Sequence, residues 1–192
     1  MNFDLTEDQK LLVRTVEGFC KKESPVDRVR QIRSNPRGWD EKVWKEMGEL
    51  GWLGVMFPAA VGGLDGSFVD AALIIEKLGS TLVPEPYLAS VALAGSVLLH
   101  GASEEQQSKW LGPMITGDES LALAYVENEG RFDVTSVQTR AEKSGSGYVL
   151  KGKKRFVLNG QAANHVIVSA RTSGGIASAG RPDAINARAS SR

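Results

Sequence analysis

The hydrophobic period of this 192-residue chain changes once, near Gly117-Asp118. Upstream, apolar residues recur at three- and four-residue spacing, the mark of helices with one buried face. Downstream they fall in short runs and alternations separated by turn residues, the mark of strands. The two periods exclude each other locally, so helices and strands are segregated along the chain. The expected fold is α+β: an all-α helical domain over residues 1–117, then a partial antiparallel β-domain over 118–171. Residues 172–192 are expected to form a low-complexity, disordered tail.

The helical part is punctuated by caps. Thr6 with Gln9 forms a capping-box pattern, and Glu7 and Asp8 sit where the helix dipole favours negative charge. Leu12, Val16 and Phe19 then share one face, and Ser24-Pro25 breaks the helix. Asp40 caps a second helix whose apolar face is Val43, Trp44, Met47 and Leu50, with Gly51 as its stop. The loop Val61-Gly62-Gly63-Leu64-Asp65-Gly66 lacks both the P-loop lysine and the Rossmann glycine spacing, so it reads as a tight turn over the helical core. Phe68 to Leu78 is apolar on most sides and is expected to be buried. Pro84 and Pro86 precede another apolar helix, Leu88 to Leu99. Ser103 with Gln106 opens a short helix through Trp110 to Met114. Trp44, Trp52 and Trp110 are expected core anchors, with Trp39 half exposed.

In the β part, Ser120 to Val126 and Val134 to Ala141 read as strands. Ser136, Gln138 and Arg140 alternate with Val137, Thr139 and Ala141, as on a half-exposed sheet. Ser144-Gly145-Ser146-Gly147 is a hairpin loop. Three apolar runs follow: Tyr148 to Leu150, Arg155 to Leu158 and His165 to Ala170. They read as three strands, with turns at Lys151-Gly152 and Asn159-Gly160. After Arg171 the sequence is rich in Gly, Ala, Ser and Arg and loses apolar periodicity. A sheet ending near Ala170 leaves an exposed edge, which suggests that the chain is a fragment.

Composition narrows the partners. Lys+Arg and Asp+Glu both number 23, so no net charge attracts nucleic acid or an anionic membrane. The single cysteine, Cys20, permits no internal disulfide and reads as a small core residue. With two histidines besides, no metal-ligand cluster can be assembled. His100 reads as a cap on a helix C-terminus, and His165 as a structural residue at a strand start. Neither a secretory nor a transit signal opens the sequence, and the longest apolar region cannot span a bilayer, so a cytoplasmic, soluble protein is expected.

Taken in order, several motifs resemble the acyl-CoA dehydrogenase family. They are Leu5-Thr6-Glu7-Asp8-Gln9; Glu49 to Val55 with Pro58 and Gly62-Gly63-Leu64; Glu76-Lys77-Leu78-Gly79; and Ser103 to Gln107. The stretches Leu121 to Asp133 and Tyr148 to Arg171 resemble its flavin-binding β-region. The resemblance implies FAD as cofactor and α,β-dehydrogenation of an acyl-CoA thioester, with the β hydrogen leaving as hydride. It implies a setting in lipid metabolism and fatty acid β-oxidation, and a homo- or hetero-oligomer, dimer or tetramer. By the same resemblance Leu123, Tyr125, Val126, Phe132, Phe156 and Leu158 are the candidate cofactor-binding residues. The family's Thr-Glu-Pro appears here as Val126-Glu127-Asn128, and its Trp-Ile-Thr-Asn as Phe156-Val157-Leu158-Asn159. Phe132 replaces a serine. Main-chain contacts survive such changes; side-chain hydrogen bonds do not. The family's catalytic glutamate lies in a C-terminal helical domain, so no catalytic residue is named in this chain.

Two residues keep two readings. Glu127 holds a flavin-segment position or is a solvated strand carboxylate. Arg131 faces a phosphate or is a surface arginine. For the whole chain the alternatives are a non-catalytic partner subunit of a hetero-oligomeric dehydrogenase, and a flavin monooxygenase or oxidase sharing the fold.

Overall fold

The computed structural model describes residues 4–130, 133–145 and 147–177. The fold is α+β, with helices first and strands after. Packing divides the chain into two compact units. Among the described residues, one unit holds those up to Tyr87 together with Ile115–Asp118; the other holds Leu88–Met114 and those from Glu119 onward. The apolar helices from Leu88 therefore pack with the strands. Periodicity shows which face of a helix is buried but not against what, so the change of period at 117 does not locate this packing boundary.

In the first unit, α1 (Glu7–Glu23) starts at the expected capping box, with both Thr6–Gln9 bonds at 3.2 Å. It buries Val16, Phe19 and Cys20, and Phe19 meets Trp52 edge-on at 4.9 Å. After Pro25 comes α2 (Val26–Ile32). The Asp40 carboxylate accepts the Lys42 amide at 2.8 Å and opens α3 (Glu41–Glu49), which buries Val43, Trp44 and Met47. Trp39, expected to be half exposed, is buried, because its indole packs against Trp44 at 6.0 Å. The helix α4 (Phe68–Ser80) starts at a second capping box, Ser67 with Asp70. An aspartate at the third helical position hides this box from a search for Glu or Gln. Burial pushes the Asp70 carboxyl up, but hydrogen bonds from Ser67 and from Gln9 outweigh it and hold the carboxyl below its ordinary value. Only the Ala71–Ile74–Leu78 face of α4 is buried; Phe68 and Val69 are exposed, against the expectation of burial on most sides.

Two devices fix the rest of this unit. The buried Glu85 carboxylate takes both Arg28 guanidinium nitrogens, at 2.5 and 3.1 Å, and the Asp40 amide at 3.1 Å. The glycine-rich loop folds back on the preceding turn through Leu64 N–H to Gly54 O, Asp65 N–H to Phe57 O and Gly66 N–H to Val55 O, at 2.9–3.0 Å. The amides of Gly62 and Gly63 likewise donate to the carbonyls of Ala59 and Pro58 just before the loop. They are spent internally, so the loop is a tight turn and not an anion cradle.

In the second unit a wide, π-helical segment, Leu88–Gly95, runs into α5 (Ser96–Gly101). The helix α6 (Glu104–Ile115) begins at the expected Ser103–Gln106 box. The buried Ser90 hydroxyl donates to Leu121 O at 2.9 Å and accepts from Leu121 N at 3.1 Å. It thereby anchors β1 (Leu121–Ala124) to the π-helical segment. β1 pairs in parallel with β4 (His165–Val168). β2 (Arg140–Ser144) and β3 (Gly147–Lys151) form an antiparallel hairpin, as do β5 (Ala170–Thr172) and β6 (Gly175–Ala177). β2 and β5 lie side by side in parallel, giving the order β3-β2-β5-β6.

Three local expectations change. Arg155–Leu158 is not a strand: Phe156 has φ of 52°, a left-handed conformation that no ladder accommodates. Regular pairing begins at Arg140 instead of Val134, yet the alternation holds, with Val137, Thr139 and Ala141 buried. Strand pairing extends through Ala177, into the segment whose composition reads as disordered. A three-residue strand is too short to announce itself by period. Residues 178–192 lie outside the described residues. Among the described residues no helix is long and apolar enough to cross a membrane.

Gly63 supplies a test of the loop. A Cβ there would stand 2.0 Å from the Phe57 carbonyl oxygen, which is main chain and cannot step aside. Gly63→Ala is expected to cost about 1–3 kcal/mol. A lowered thermal midpoint in scanning calorimetry is the readout, and an unchanged midpoint contradicts the contact.

Candidate functional site

Beyond Ala124 the chain leaves the β1 ladder, and Glu127 turns inward. Its side chain is nearly inaccessible, and four donors converge on its carboxylate. Oε2 accepts the Gln138 amide at 2.7 Å. Oε1 accepts the Thr139 amide at 3.0 Å, the Thr139 hydroxyl at 2.6 Å and Lys154 Nζ at 2.7 Å. Lys154 is itself buried and donates also to Ser169 Oγ at 2.8 Å and to Tyr125 O at 3.4 Å. Every proton of the ammonium is engaged, and both carboxylate oxygens accept, Oε1 three times and Oε2 once. Gly152 makes room for this arrangement, since a Cβ there would fall 2.4 Å from Thr139 Oγ1.

Electrostatics follow from the bonds. Burial pushes the Glu127 carboxyl up; the bonds from Lys154, Thr139 and Gln138 outweigh it and hold the group down at about 2. A carboxylate held so low and bonded by four donors is a poor proton acceptor at neutral pH. Glu127 is thus a structural anion, neither the solvated carboxylate of one reading nor a general base.

Around this knot two segments run side by side. Arg155 N–H donates to Val126 O at 2.9 Å, and the Arg155 guanidinium bonds Asn128 Oδ1 and lies 5.5 Å from the centre of the Phe156 ring. Tyr125 is 41% exposed, Phe156 81% and Leu158 49%. Val126 and Leu123 are half-buried. Five of the six candidate residues therefore lie on or beside these segments. Phe132, like Arg131, falls outside the described residues. Among the described residues the main-chain N–H groups of Val126, Phe156 and Leu158 donate to no partner. Large exposed apolar side chains beside free amide donors suit a flat, polar-edged ring system.

Sequence reasoning missed Lys154, Thr139 and Ser169. Lys154 sits in the run Lys151-Gly152-Lys153-Lys154-Arg155, which reads as a solvated face. Thr139 did carry a signal, because it occupies the inward phase of the alternation. Near the β4 start, His165 Nε2 lies 3.0 Å from Glu119 Oε2, and its ring meets the half-buried Trp110 edge-on at 4.5 Å. Among the described residues no three His, Cys, Asp or Glu groups gather as metal ligands.

Residues 6–118 match the acyl-CoA dehydrogenase N-terminal domain, and residues 122–185 match the acyl-CoA dehydrogenase middle domain. The chain belongs to the acyl-CoA dehydrogenase family. It is 34% identical over 176 residues to the probable acyl-CoA dehydrogenase YngJ of Bacillus subtilis, covering 90% of this chain and 45% of that protein. It is 34% identical over 171 residues to the mitochondrial isovaleryl-CoA dehydrogenase of Pongo abelii, covering 88% and 40%. Among solved structures, the ChsE4-ChsE5 complex from Mycobacterium tuberculosis aligns with TM-score 0.80 and 27% identity, over 95% of this chain and 50% of that one. Glutaryl-CoA dehydrogenase from Mycobacterium smegmatis, in complex with FADH2, aligns with TM-score 0.77 and 25% identity, over 90% and 44%. The chain spans about half the length, or less, of these relatives.

The low Glu127 value fixes the sign of an acid effect. The folded carboxyl lies below its unfolded value, so its stabilisation is full above the unfolded value of 4.5 and is lost as pH falls towards about 2. Thermal midpoints should hold steady from neutral pH to about 5 and drop below 4.5, and Glu127→Gln should flatten that drop. A Glu127→Gln protein with the same acid profile as the parent would remove the assignment.

Proposed function

We propose that this chain forms the helical and flavin-facing β part of an acyl-CoA dehydrogenase that uses FAD to dehydrogenate an acyl-CoA thioester. The observation that carries this reading is the juxtaposition of residues 125–128 with 154–158, which presents Tyr125, Phe156 and Leu158 outward beside free amides. FAD, when bound, supplies the acceptor for the substrate's β hydrogen. Phe156 and Leu158 would cover a ring face and exclude water from it. The amides of Val126, Phe156 and Leu158 would meet its polar edge. Neither Val126 nor Leu158 has a side-chain donor, so orientation falls to the main chain. Glu127 is committed to Lys154 and leaves the α proton to a base elsewhere. The reading includes an oligomeric enzyme of fatty acid β-oxidation, working in the cytoplasm.

A second reading is favoured by the missing hydroxyls at Val126 and Leu158. In it the chain is a partner subunit whose flavin is held only with a related chain.

Titration of the full chain with FAD, followed by flavin fluorescence, tests the first reading. Quenching by the chain alone supports it. Quenching only after co-expression with a homologue supports the second, and none in either case sinks both. If Leu158 faces the ring, Leu158→Thr restores a hydroxyl donor worth about 0.5–1.5 kcal/mol and should tighten FAD about three- to tenfold. Unchanged or weakened affinity would turn Leu158 away from the flavin.

A further inference from the structure

We propose that the Glu127–Lys154 ion pair is the positioning device of the flavin-facing surface, setting residues 125–128 and 154–158 in register with each other. Its functional meaning rests on the flavin reading above; its geometry does not.

The argument starts from what holds residues 152–157. They belong to no strand, and Phe156 sits in a left-handed conformation. Such a segment has no ladder to fix it, and apart from the main-chain bond from Arg155 N–H to Val126 O its ties to other stretches are side-chain bonds. Lys154 supplies them to two separate stretches: Tyr125 O and Glu127 after β1, and Ser169 between β4 and β5. Glu127 carries the link to a third, the amides of Gln138 and Thr139 ahead of β2. Lys154 is one residue from Arg155, whose amide holds Val126 O, and two from the exposed Phe156.

General stability is a poor account of this pair. Burying an ion pair gains little over a well-packed apolar replacement, because desolvation offsets the attraction. Charge gives something an apolar contact cannot: directional bonds from one ammonium and one carboxylate to several unladdered main-chain groups at once. The pair is buried beneath the surface it orders, so it acts through Tyr125, Val126 and Phe156 without touching a bound ring.

The double variant Glu127→Gln/Lys154→Met removes both charges and leaves neither one buried alone. Amide hydrogen exchange of the flavin-free full chain is read segment by segment, and FAD affinity is measured in parallel. The Arg155 amide, which bonds Val126 O across the two segments, should exchange at least about tenfold faster, with the β2–β3 hairpin unchanged. FAD should bind at least about tenfold more weakly. Lys154→Arg, which keeps the charge, should recover much of both. Unchanged exchange at the Arg155 amide overturns the proposal. So does equal acceleration across the second unit, or its unfolding in both the double variant and Glu127→Gln alone, since either assigns the pair to general stability. FAD affinity unchanged beside faster exchange also overturns it. If the parent chain binds no FAD, the flavin reading falls and the exchange pattern alone decides whether the pair sets the segments.

Discussion

A carboxylate taken out of water must be given bonds, and in the second unit that demand organises the backbone. Glu127 is almost wholly buried and accepts from four donors. Those donors lie on the approach to β2 and on the segment after β3. None can be reached unless the chain beyond β1 leaves its ladder and turns inward. The price of an unpaired buried charge is several kcal/mol, comparable with a domain's whole stability. The alternatives to this backbone path are therefore strongly disfavoured. The exposed positions of Phe156 and Tyr125 follow from the same path.

The first unit solves a similar problem with the same chemistry and a different result. Glu85 is buried and paired to Arg28, and it also accepts the amide of Asp40, the residue that caps α3. One carboxylate thus ties α2 to the start of α3. Its partners are a side chain of α2 and the main-chain amide at the start of α3, where regular hydrogen bonding leaves amides short of acceptors. There the ion pair closes a helical core. In the second unit the corresponding pair supports an irregular segment that faces outward, which is where binding surfaces are usually built.

What the sequence made legible divides along this line. The caps at Thr6, Asp40 and Ser103 were readable because a cap is a local event within three residues. The Tyr148–Leu150 strand and its hairpin were readable because turn chemistry and period agreed. The Arg155–Leu158 strand was misread because its apolar run fits a strand, while Lys154 and the left-handed Phe156 hold it off any ladder. That outcome depends on Glu127, 27 residues earlier, and no window of local sequence contains both. The parallel pairs β1–β4 and β2–β5 were hidden for the same reason, as products of long-range closure. Of the candidate site, the family pattern pointed to residues that lie exposed or half-buried on these segments and not to the buried pair beneath them, because a lysine among lysines looks solvated.

The substitutions in the surface and the conservation of order beneath it fit one physical account. A side-chain hydroxyl can be lost at Val126 or Leu158 without moving the main chain, because neither side chain takes part in the bonds that hold these segments. What fixes the main chain lies one layer down, in Glu127, Lys154, Thr139 and Ser169. A site divided this way can change its side-chain chemistry while keeping its amide geometry. Phe156 shows the limit: its left-handed backbone costs about 1–2 kcal/mol for a residue with a Cβ, and it persists because Arg155 and Lys154 on its N-terminal side are pinned. Remove the pinning and the least costly relaxation is the return of Phe156 to an extended conformation, which would move its ring away from the Arg155 guanidinium. The exposed face of Tyr125 and Phe156 is therefore only as well defined as the bonds made below it by Glu127 and Lys154.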